Sequence, residues 1–264
     1  MFTIPIILFS LYVIFGLFEV IHPAENGQSF SGRIRNIGFT ALLLIIGGGI
    51  VVAIYLLIPF EPRIVVFDST WLNILMLLGY LLCNDFLFYW YHRIQHTFDV
   101  FFQIHELHHS DSELNSTSSL RSYWLERPLQ TLLITLPSLF ILGTNTPVLI
   151  WFPFVTTVWL VFTHANIKLE LGFFTPIICG PQLHRIHHSN LPQHRDKNFA
   201  QFFPIFDILF GTYYKPQQQE FPPTGTPDLS SRASFQEVTI KPFRVWRKKL
   251  LSHDKRPESS RSRT

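Results

Sequence analysis

The sequence predicts an all-α protein, a multi-span membrane bundle of about four transmembrane helices with a histidine-rich helical cap. The first observation behind this prediction is composition. The 264-residue chain is 47% hydrophobic but only 15% charged, and its mean hydropathy is +0.23. Soluble domains carry about 25% charged residues. The second observation is the set of twelve histidines, most of which stand where an apolar segment ends.

The N-terminal region, residues 1–84, is expected to supply the first transmembrane spans. Residues 2–21 and 37–58 are apolar, and each reaches the roughly 20 residues that a membrane-crossing helix needs. No basic region precedes the first segment and no small-residue cleavage site follows it, so we expect a retained helix rather than a signal peptide. A polar loop with Arg33 and Arg35 separates the two spans, and a third span starts at Trp71.

A second apolar region covers residues 129–162, and a Gly-Thr-Asn-Thr-Pro stretch at 143–147 interrupts it. The two arms of about 15 and 16 residues are short for full spans. We expect a membrane hairpin that either crosses obliquely or returns to the side it entered from. This hairpin belongs to a predicted central domain, residues 85–214. Residues 215–264 form a cytoplasmic tail with one helix near 235–251.

Three histidine motifs have helical spacing. Residues three and four positions apart share one helical face, and each motif therefore presents two or three imidazoles in one direction. The motifs comprise His92 and His96; His105, His108 and His109; and His184, His187 and His188. One ion with four to six ligands cannot use eight imidazoles, so we infer a site for two metal ions. Imidazole suits iron, zinc, copper and nickel, so the spacing leaves the metal open.

Asp85 lies in the third span on the same helical face as His92, because the seven-residue step between them comes within about 20° of two full turns. Ionisable groups inside a membrane helix are rare and usually functional. Metal-binding imidazoles need partners for their second nitrogen, and we expect Asp85 to be one. Weaker candidates for the same role are Glu126, Asn166, Asp196, Asn198 and Asp207.

The motifs HRIQH at 92–96, HELHH at 105–109 and HRIHH at 184–188 resemble those of the fatty acid hydroxylase/sterol desaturase superfamily. The resemblance extends over about residues 19–212. Residues 162–166, FTHAN, are similar to another element of that superfamily, which makes His164 a ninth expected ligand. Residues 196–199, DKNF, and 207–212, DILFGT, resemble its closing motif.

The resemblance implies a membrane-bound non-haem di-iron oxidoreductase. Two iron ions, held by the nine histidines with Asp85, Asn166 and Asn198 in support, would use O2 to hydroxylate or desaturate an unactivated C–H bond of a sterol or fatty acyl lipid. No haem-binding or flavin-binding segment is visible, so a reductase, ferredoxin or cytochrome b5 type partner would supply electrons. Phe98, Phe101, Phe102 and Trp124 are candidate pocket residues, although core packing is the favoured role for all four.

Two alternatives stay open, a histidine-rich membrane metal transporter and a catalytically inactive metal-binding membrane protein. Transporters bind their cargo near mid-membrane, often in broken helices, whereas these motifs cluster at one interface. That placement favours an enzyme.

Two departures from the superfamily pattern bear on the site. Tyr123 stands where many members have a histidine, and Ala200 stands where they have glycine. If that histidine helps the metal site, its task here is missing or falls to Tyr123. Alanine should be tolerated at 200 unless the backbone needs a positive φ.

The distribution of basic residues predicts the orientation. With three spans and a hairpin, all but one of the 21 Lys and Arg residues fall on the side of the histidine motifs, and the exception is Arg63. The positive-inside rule then places the metal site on the cytoplasmic face. The basic tail is expected to face anionic lipid headgroups rather than nucleic acid. The predicted location is a bacterial inner membrane, or the endoplasmic reticulum membrane in a eukaryote.

Overall fold

The computed structural model describes residues 3–58 and 61–253. Part of the predicted connection, residues 59–60, and the end of the predicted tail, residues 254–264, lie outside the described residues. Throughout the described ranges the regular structure is helical, with isolated β-bridges but no strand. The predicted all-α class is confirmed.

Apart from three short 3₁₀ helices at Ser116–Leu120, Gly172–Phe174 and Pro192–His194, the described part of the protein contains nine helices, numbered in chain order. They are α1 Thr3–Ile21, α2 Phe30–Leu57, α3 Thr70–Thr97, α4 Asp99–His109, α5 126–142, α6 Thr146–His164, α7 Pro181–His187, α8 Ile205–Leu209 and α9 Phe235–His253. Helices α2 and α5 each contain a π-helical turn, at Leu43–Gly47 and Thr131–Thr135 respectively. The predicted tail helix near 235–251 is confirmed as α9.

Within the described ranges, three helices are long and apolar enough to cross a membrane, by length and composition alone: α2, α3 and α6. Helix α1, Thr3–Ile21, is also apolar, and the membrane span predicted there stays a prediction. Helix α6 is long enough, although the sequence predicted only a short hairpin arm there. The count of about four spans therefore stays a prediction.

The greater length of α6 has a local cause at its first turn. The Asn145 side chain accepts a hydrogen bond from the amide of Val148 at 2.9 Å and so caps the helix. Proline is tolerated in a first helical turn because its missing N–H would have had no partner there. The helix consequently starts at Thr146 and continues through Pro153 to His164.

The hairpin formed by α5 and α6 reaches the same end of the bundle as the loop between α2 and α3. Its tip exchanges two backbone hydrogen bonds with that loop, from Thr144 to Arg63 O at 2.8 Å and from Val65 to Thr144 O at 2.7 Å. Asn145 also donates to Asn73 at the start of α3, at 2.8 Å. We call this the distal end, and the opposite end, which carries the histidines, the site end.

Polar side chains hold the helices together at the site end. The buried Glu19 carboxylate of α1 pairs with Arg33 of α2 at 2.5 Å and accepts the backbone amides of Ser116 and Asn166. Helix α9 lies against α4, where Lys241 forms a 2.5 Å ion pair with the buried Glu106.

Candidate metal centre

The first two histidine motifs face each other because the chain breaks between α3 and α4. Phe98 has an extended backbone, with φ −113° and ψ 116°, so the two helices form a tight corner. Residues thirteen positions apart consequently meet. The Nε2 atoms of His92 and His105 lie 2.9 Å apart, and those of His96 and His109 lie 3.1 Å apart.

The nine predicted histidines converge into two groups, in each of which the nitrogen atoms lie within 4.8 Å of one another. The five-histidine group contains His92, His96, His105, His109 and His187, and the four-histidine group contains His108, His164, His184 and His188. Neighbouring residues on one helix can belong to different groups, as His108 and His109 do. The helix corner, α6 and α7 all contribute, so residues far apart in sequence build each group.

The chemistry of these contacts fits metal ions and little else. In the four-histidine group, the Nε2 atom of His164 lies 3.1 Å from that of His108 and 3.0 Å from that of His184. A neutral imidazole whose Nδ1 carries the proton has only a lone pair at Nε2. Several such lone pairs facing one another repel unless a cation lies between them. The residues present therefore suit a bound metal in each group.

The separations also bear on coordination number. For metal–nitrogen bonds of about 2.1 Å, ligands at right angles lie about 3.0 Å apart, whereas tetrahedral ligands lie about 3.4 Å apart. Neighbouring Nε2 atoms in both groups are 2.9 to 3.1 Å apart. The spacing favours an ion with five or six ligands over a tetrahedral one.

Backbone carbonyls orient three of the rings through Nδ1. His92 contacts Phe199 O at 2.8 Å, His187 contacts Lys197 O at 2.8 Å, and His164 contacts Leu160 O at 2.7 Å. Each carbonyl can only accept, so each Nδ1 must carry the proton and Nε2 is left free to bind metal. Carbonyl partners of this kind carry no side-chain signature, and sequence reasoning had no means to find them.

Burial keeps the cap histidines neutral. Desolvation, reinforced by neighbouring imidazoles, lowers the pKa of six rings well below the ordinary value: His105, His108, His109, His184, His187 and His188. Their lone pairs are therefore available at neutral pH, because no proton competes for them.

Two carboxylates hold the loop at 196–203, which we call the clamped loop. Asp207 accepts the amides of residues 199 and 200 at 2.7 and 2.9 Å. Asp85 accepts the next three amides, those of residues 201–203, at 2.6 to 3.1 Å. Asp85 was predicted to bond a histidine ring directly. It acts instead through the clamped loop, because it positions the loop whose Phe199 carbonyl holds His92.

Asn198 holds the same loop from its other side. Its side chain exchanges two hydrogen bonds with the backbone of Tyr214, at 2.8 and 3.3 Å. Both Asn198 and Asp196 have a left-handed backbone, with φ near 59° and 58°, a conformation that asparagine and aspartate tolerate. Ala200 is not among the described residues with positive φ, so the loss of glycine there has no conformational cost.

Of the other predicted supporting residues, Glu126 and Asp196 come nearest a ring. Glu126 Oε1 lies 3.7 Å from Nδ1 of His105, and Asp196 Oδ1 lies 3.7 Å from Nδ1 of His96, both too long for a hydrogen bond. Asn166 does not contact a histidine in the described structure. Its side chain binds the backbone of Glu25 at 2.7 and 3.0 Å and so positions the loop after α1.

Tyr123 does not take the place of the superfamily histidine. It is buried in a hydrophobic cluster with Ile104, Leu107 and residues of the tail, and its hydroxyl donates to Thr239 O at 3.1 Å. Neither histidine group includes it. Nine histidines assemble without a side chain from this position.

A cavity of about 430 Å³ leads from the histidines into the bundle, between α2, α3, α5 and α6. Five histidines line one end of it: His92, His105, His108, His164 and His184. It extends to Tyr80, whose hydroxyl bonds Gly143 O at the distal end. At about 1.5 Å per helical residue, the distance along α3 from Tyr80 to His92 is about 18 Å. The cavity can therefore accept an extended apolar chain.

The aromatic residues proposed as pocket residues do not line this cavity. Phe98 and Phe101 are exposed, Phe102 packs on the rings of His96 and His109, and Trp124 packs against the Tyr123 cluster. The sequence placed them beside the histidines along the chain, but the corner at Phe98 turns them away from the cavity.

A comparison with known proteins agrees with the geometry. A family model for fatty acid hydroxylases matches residues 77–212, about half of the chain. The chain belongs to the fatty acid hydroxylase family. All nine clustered histidines, Asp85 and the clamped loop lie inside the matched region. No solved structure matches the chain.

Similar members of this family modify lipids. The chain is 31% identical over 136 residues to the ornithine lipid hydroxylase of Rhizobium tropici, covering 52% of this chain and 41% of that protein. It is 29% identical over 173 residues to the alkylglycerol monooxygenase of Xenopus tropicalis, covering 65% and 37%. It is 33% identical over 143 residues to a delta(7)-sterol 5(6)-desaturase of Gibberella zeae, covering 54% and 38%. The matches span about two-fifths of each relative.

Proposed function

We propose that this protein is a membrane-bound non-haem di-iron oxygenase that hydroxylates or desaturates an unactivated C–H bond of a lipid. The observation that carries the proposal is the convergence of nine histidines into two groups at one end of an apolar cavity inside a membrane helix bundle. The relatives, which are lipid hydroxylases, monooxygenases and desaturases by name, support it.

The five-histidine group and the four-histidine group would each hold one iron ion. Nitrogen separations near 3.0 Å suit an ion with five or six ligands, and imidazole is an ordinary ligand of iron. Bound ferrous iron supplies electrons for the activation of O2, which organic side chains cannot do.

The chain's own residues position the rings and exclude water. Carbonyls of the clamped loop fix the orientation of the rings of His92 and His187. Asp85 and Asn198 hold that loop, and Asn166 holds the loop after α1. The apolar walls of the cavity would place one carbon of a lipid chain beside the histidines and keep water away from it.

An oxygenase of this kind consumes electrons, and we propose an external donor of the reductase, ferredoxin or cytochrome b5 type. The lipid substrate would enter from the surrounding membrane. The site end would face the cytoplasm, because the loop at the distal end carries a single basic residue, Arg63, while the basic residues otherwise concentrate toward the site end and the tail. A bacterial inner membrane is the proposed location.

The test is a metal-dependent product assay. Protein loaded anaerobically with ferrous iron, then given O2, a reductant system and a membrane lipid extract, should release a lipid oxidised at one carbon. Hydroxylated product should carry ¹⁸O from ¹⁸O2. His108→Ala and His187→Ala, one from each group, should abolish the product while the protein still inserts into membranes.

Two results would contradict the proposal. Full activity in either variant would remove that histidine from the site. Movement of iron or zinc across liposomes containing the protein, without any consumption of O2, would identify a transporter instead.

A further inference from the structure

Arg127, at the start of α5, is an exposed residue with no counter-ion among the described residues. It lines the intramembrane cavity, and within the described ranges no carboxylate or hydrogen-bond acceptor pairs with its guanidinium. The carboxylate next to it in sequence is engaged elsewhere. Glu126 accepts hydrogen bonds from Tyr91 at 3.1 Å and from Gln95 at 3.0 Å.

The surroundings of Arg127 place it against α2. A Cβ atom added at Gly47 would lie 3.5 Å from the Arg127 Cβ and 2.7 Å from Trp124 O, so the two helices touch here. Tyr55 lies about two turns farther along α2, within electrostatic range of Arg127, and it lines the same cavity. The guanidinium and a phenol therefore belong to one wall of the cavity.

Among the residues that line the cavity, Glu126 is the one carboxylate, and it is hydrogen-bonded to Tyr91 and Gln95. Apart from Glu126 and the histidines, the polar side chains that line it are uncharged serine, threonine, asparagine, glutamine and tyrosine residues. A charged side chain exposed on a largely apolar cavity wall inside a membrane bundle favours an occupant of opposite charge. The occupant of the cavity should supply that charge.

We infer that the cavity binds a lipid with an anionic group, a carboxylate or a phosphate, and that Arg127 engages this group at the cavity wall next to α2. This inference rests on the proposed lipid oxygenase function and narrows its substrate class. Arginine presents donors in a planar fork that matches both anions. Acidic lipids should therefore bind in preference to neutral lipids of the same chain length.

Photolabelling tests this preference without iron, O2 or reductant. The protein, in phosphatidylcholine nanodiscs, is exposed to palmitic acid with a mid-chain diazirine or to the matching hexadecanol probe, at a pH where the carboxyl is ionised. A second pair, phosphatidic acid and diacylglycerol with the same photoreactive chain, separates a phosphate site from a carboxylate site. Cross-linked peptides are mapped by mass spectrometry.

At least one acidic probe should label cavity peptides about tenfold more than its neutral counterpart, as expected for one charge-assisted hydrogen-bonded pair. Arg127→Gln should remove the preference while the alcohol probe still labels, which shows that the cavity persists. Arg127→Lys should keep part of the preference. Arg244→Gln, at an exposed arginine of α9, should leave it unchanged.

Equal labelling by acidic and neutral probes in the wild type would overturn the inference. The same holds if Arg127→Gln keeps the wild-type preference. If Arg127→Gln is labelled by neither probe, the Arg127→Lys variant is used instead. If Arg127→Lys is labelled by the alcohol probe but shows no preference for the acid, the inference is also overturned. The two proposals can fail independently. A preference for acidic probes without iron-dependent oxidation of a lipid would contradict the oxygenase function alone. Iron-dependent oxidation without a preference for acidic probes would contradict the anion site alone.

Discussion

At the scale of single residues, the carboxylate of Asp85 shows how an ionisable group inside a membrane helix serves the site. It is 1% exposed and accepts three consecutive amides of the clamped loop. Those amides would otherwise lack partners in a buried place, and unpaired buried amides destabilise a fold by about 1 to 3 kcal/mol each. Asp85 therefore acts on His92 through the loop.

Asp85→Asn should weaken iron binding by about 10 to 100-fold, the range found for residues that support metal ligands. An amide side chain has one acceptor oxygen and a donor group that repels backbone N–H groups. Competition titrations against a chelator measure the change. Asp68→Asn, at an exposed carboxylate of the distal loop, is the control and should bind iron normally. Unchanged affinity in Asp85→Asn would limit Asp85 to packing.

Tyr123→His should add no metal ligand, although it restores the superfamily residue. The position lies in the hydrophobic cluster and outside both histidine groups. We expect unchanged iron content per protein by elemental analysis and a lower unfolding temperature. Tyr123→Phe removes only the bond to Thr239 O and should lower stability by about 1 kcal/mol. An increased iron content in Tyr123→His would show that the position can reach the site.

At the scale of elements, the clamped loop connects the histidines to the membrane helices. Its carbonyls at 197 and 199 orient two rings, and its amides are held by Asp85 of α3 and Asp207 of α8. A loop held on both sides can keep ligand positions fixed while metal binds, because its own hydrogen bonds do not change.

The left-handed backbone at Asn198 makes a graded prediction possible. Asn198→Gly loses the two side-chain bonds to Tyr214 but adopts positive φ freely. Asn198→Ala loses the same bonds and is strained, so it should be less stable than the glycine variant by about 1 kcal/mol. Denaturant unfolding in detergent compares the two variants. Equal stability would mean that the loop relaxes to another backbone conformation.

At the scale of the whole molecule, the C-terminal region completes the cap. Helix α9 packs on α4, where Lys241 neutralises Glu106, a carboxylate that is 2% exposed. The tail also closes the hydrophobic cluster around Tyr123 through Leu229, Ala233 and Val238. The helix that bears three of the histidines therefore depends on residues more than a hundred positions later.

Lys241→Met should destabilise the protein by about 3 kcal/mol, because it leaves Glu106 buried and unpaired. Adding Glu106→Gln should recover part of the loss, since the buried charge is then gone. Lys249→Met breaks an exposed pair with Asp99 and should change stability by less than about 1 kcal/mol. Thermal unfolding of the three variants and the wild type decides, and a double variant no more stable than Lys241→Met would argue against a charge effect.

Membrane orientation is testable with introduced cysteines. Asp68→Cys in the distal loop should react with an impermeant maleimide added to intact spheroplasts, because the positive-inside rule places that end outside. Glu237→Cys, exposed on α9, should react only after permeabilisation. The native Cys83 and Cys179 are partly or fully buried and serve as the background. The reverse pattern would turn the proposed orientation around.

The sequence alone was enough to predict helices, membrane character and the nine histidines, because helical periodicity and hydropathy are local properties that can be counted along the chain. It also carried the family, through short motifs around those histidines. It could not predict that His108 and His109 belong to different groups, or that the partners of the rings are carbonyls.

Tertiary structure decided the rest. Contacts between distant segments determine the corner at Phe98, how far the hairpin of α5 and α6 extends along the bundle, and the packing of α2 against α5. Those contacts determine which side chains share a cavity. Asp85 was predicted to hold a histidine ring because it shares a helical face with His92. In the fold it meets a loop more than a hundred residues away, whose free amides outcompete an imidazole. Only the packed structure brings Arg127 to the wall of the cavity that the histidines line.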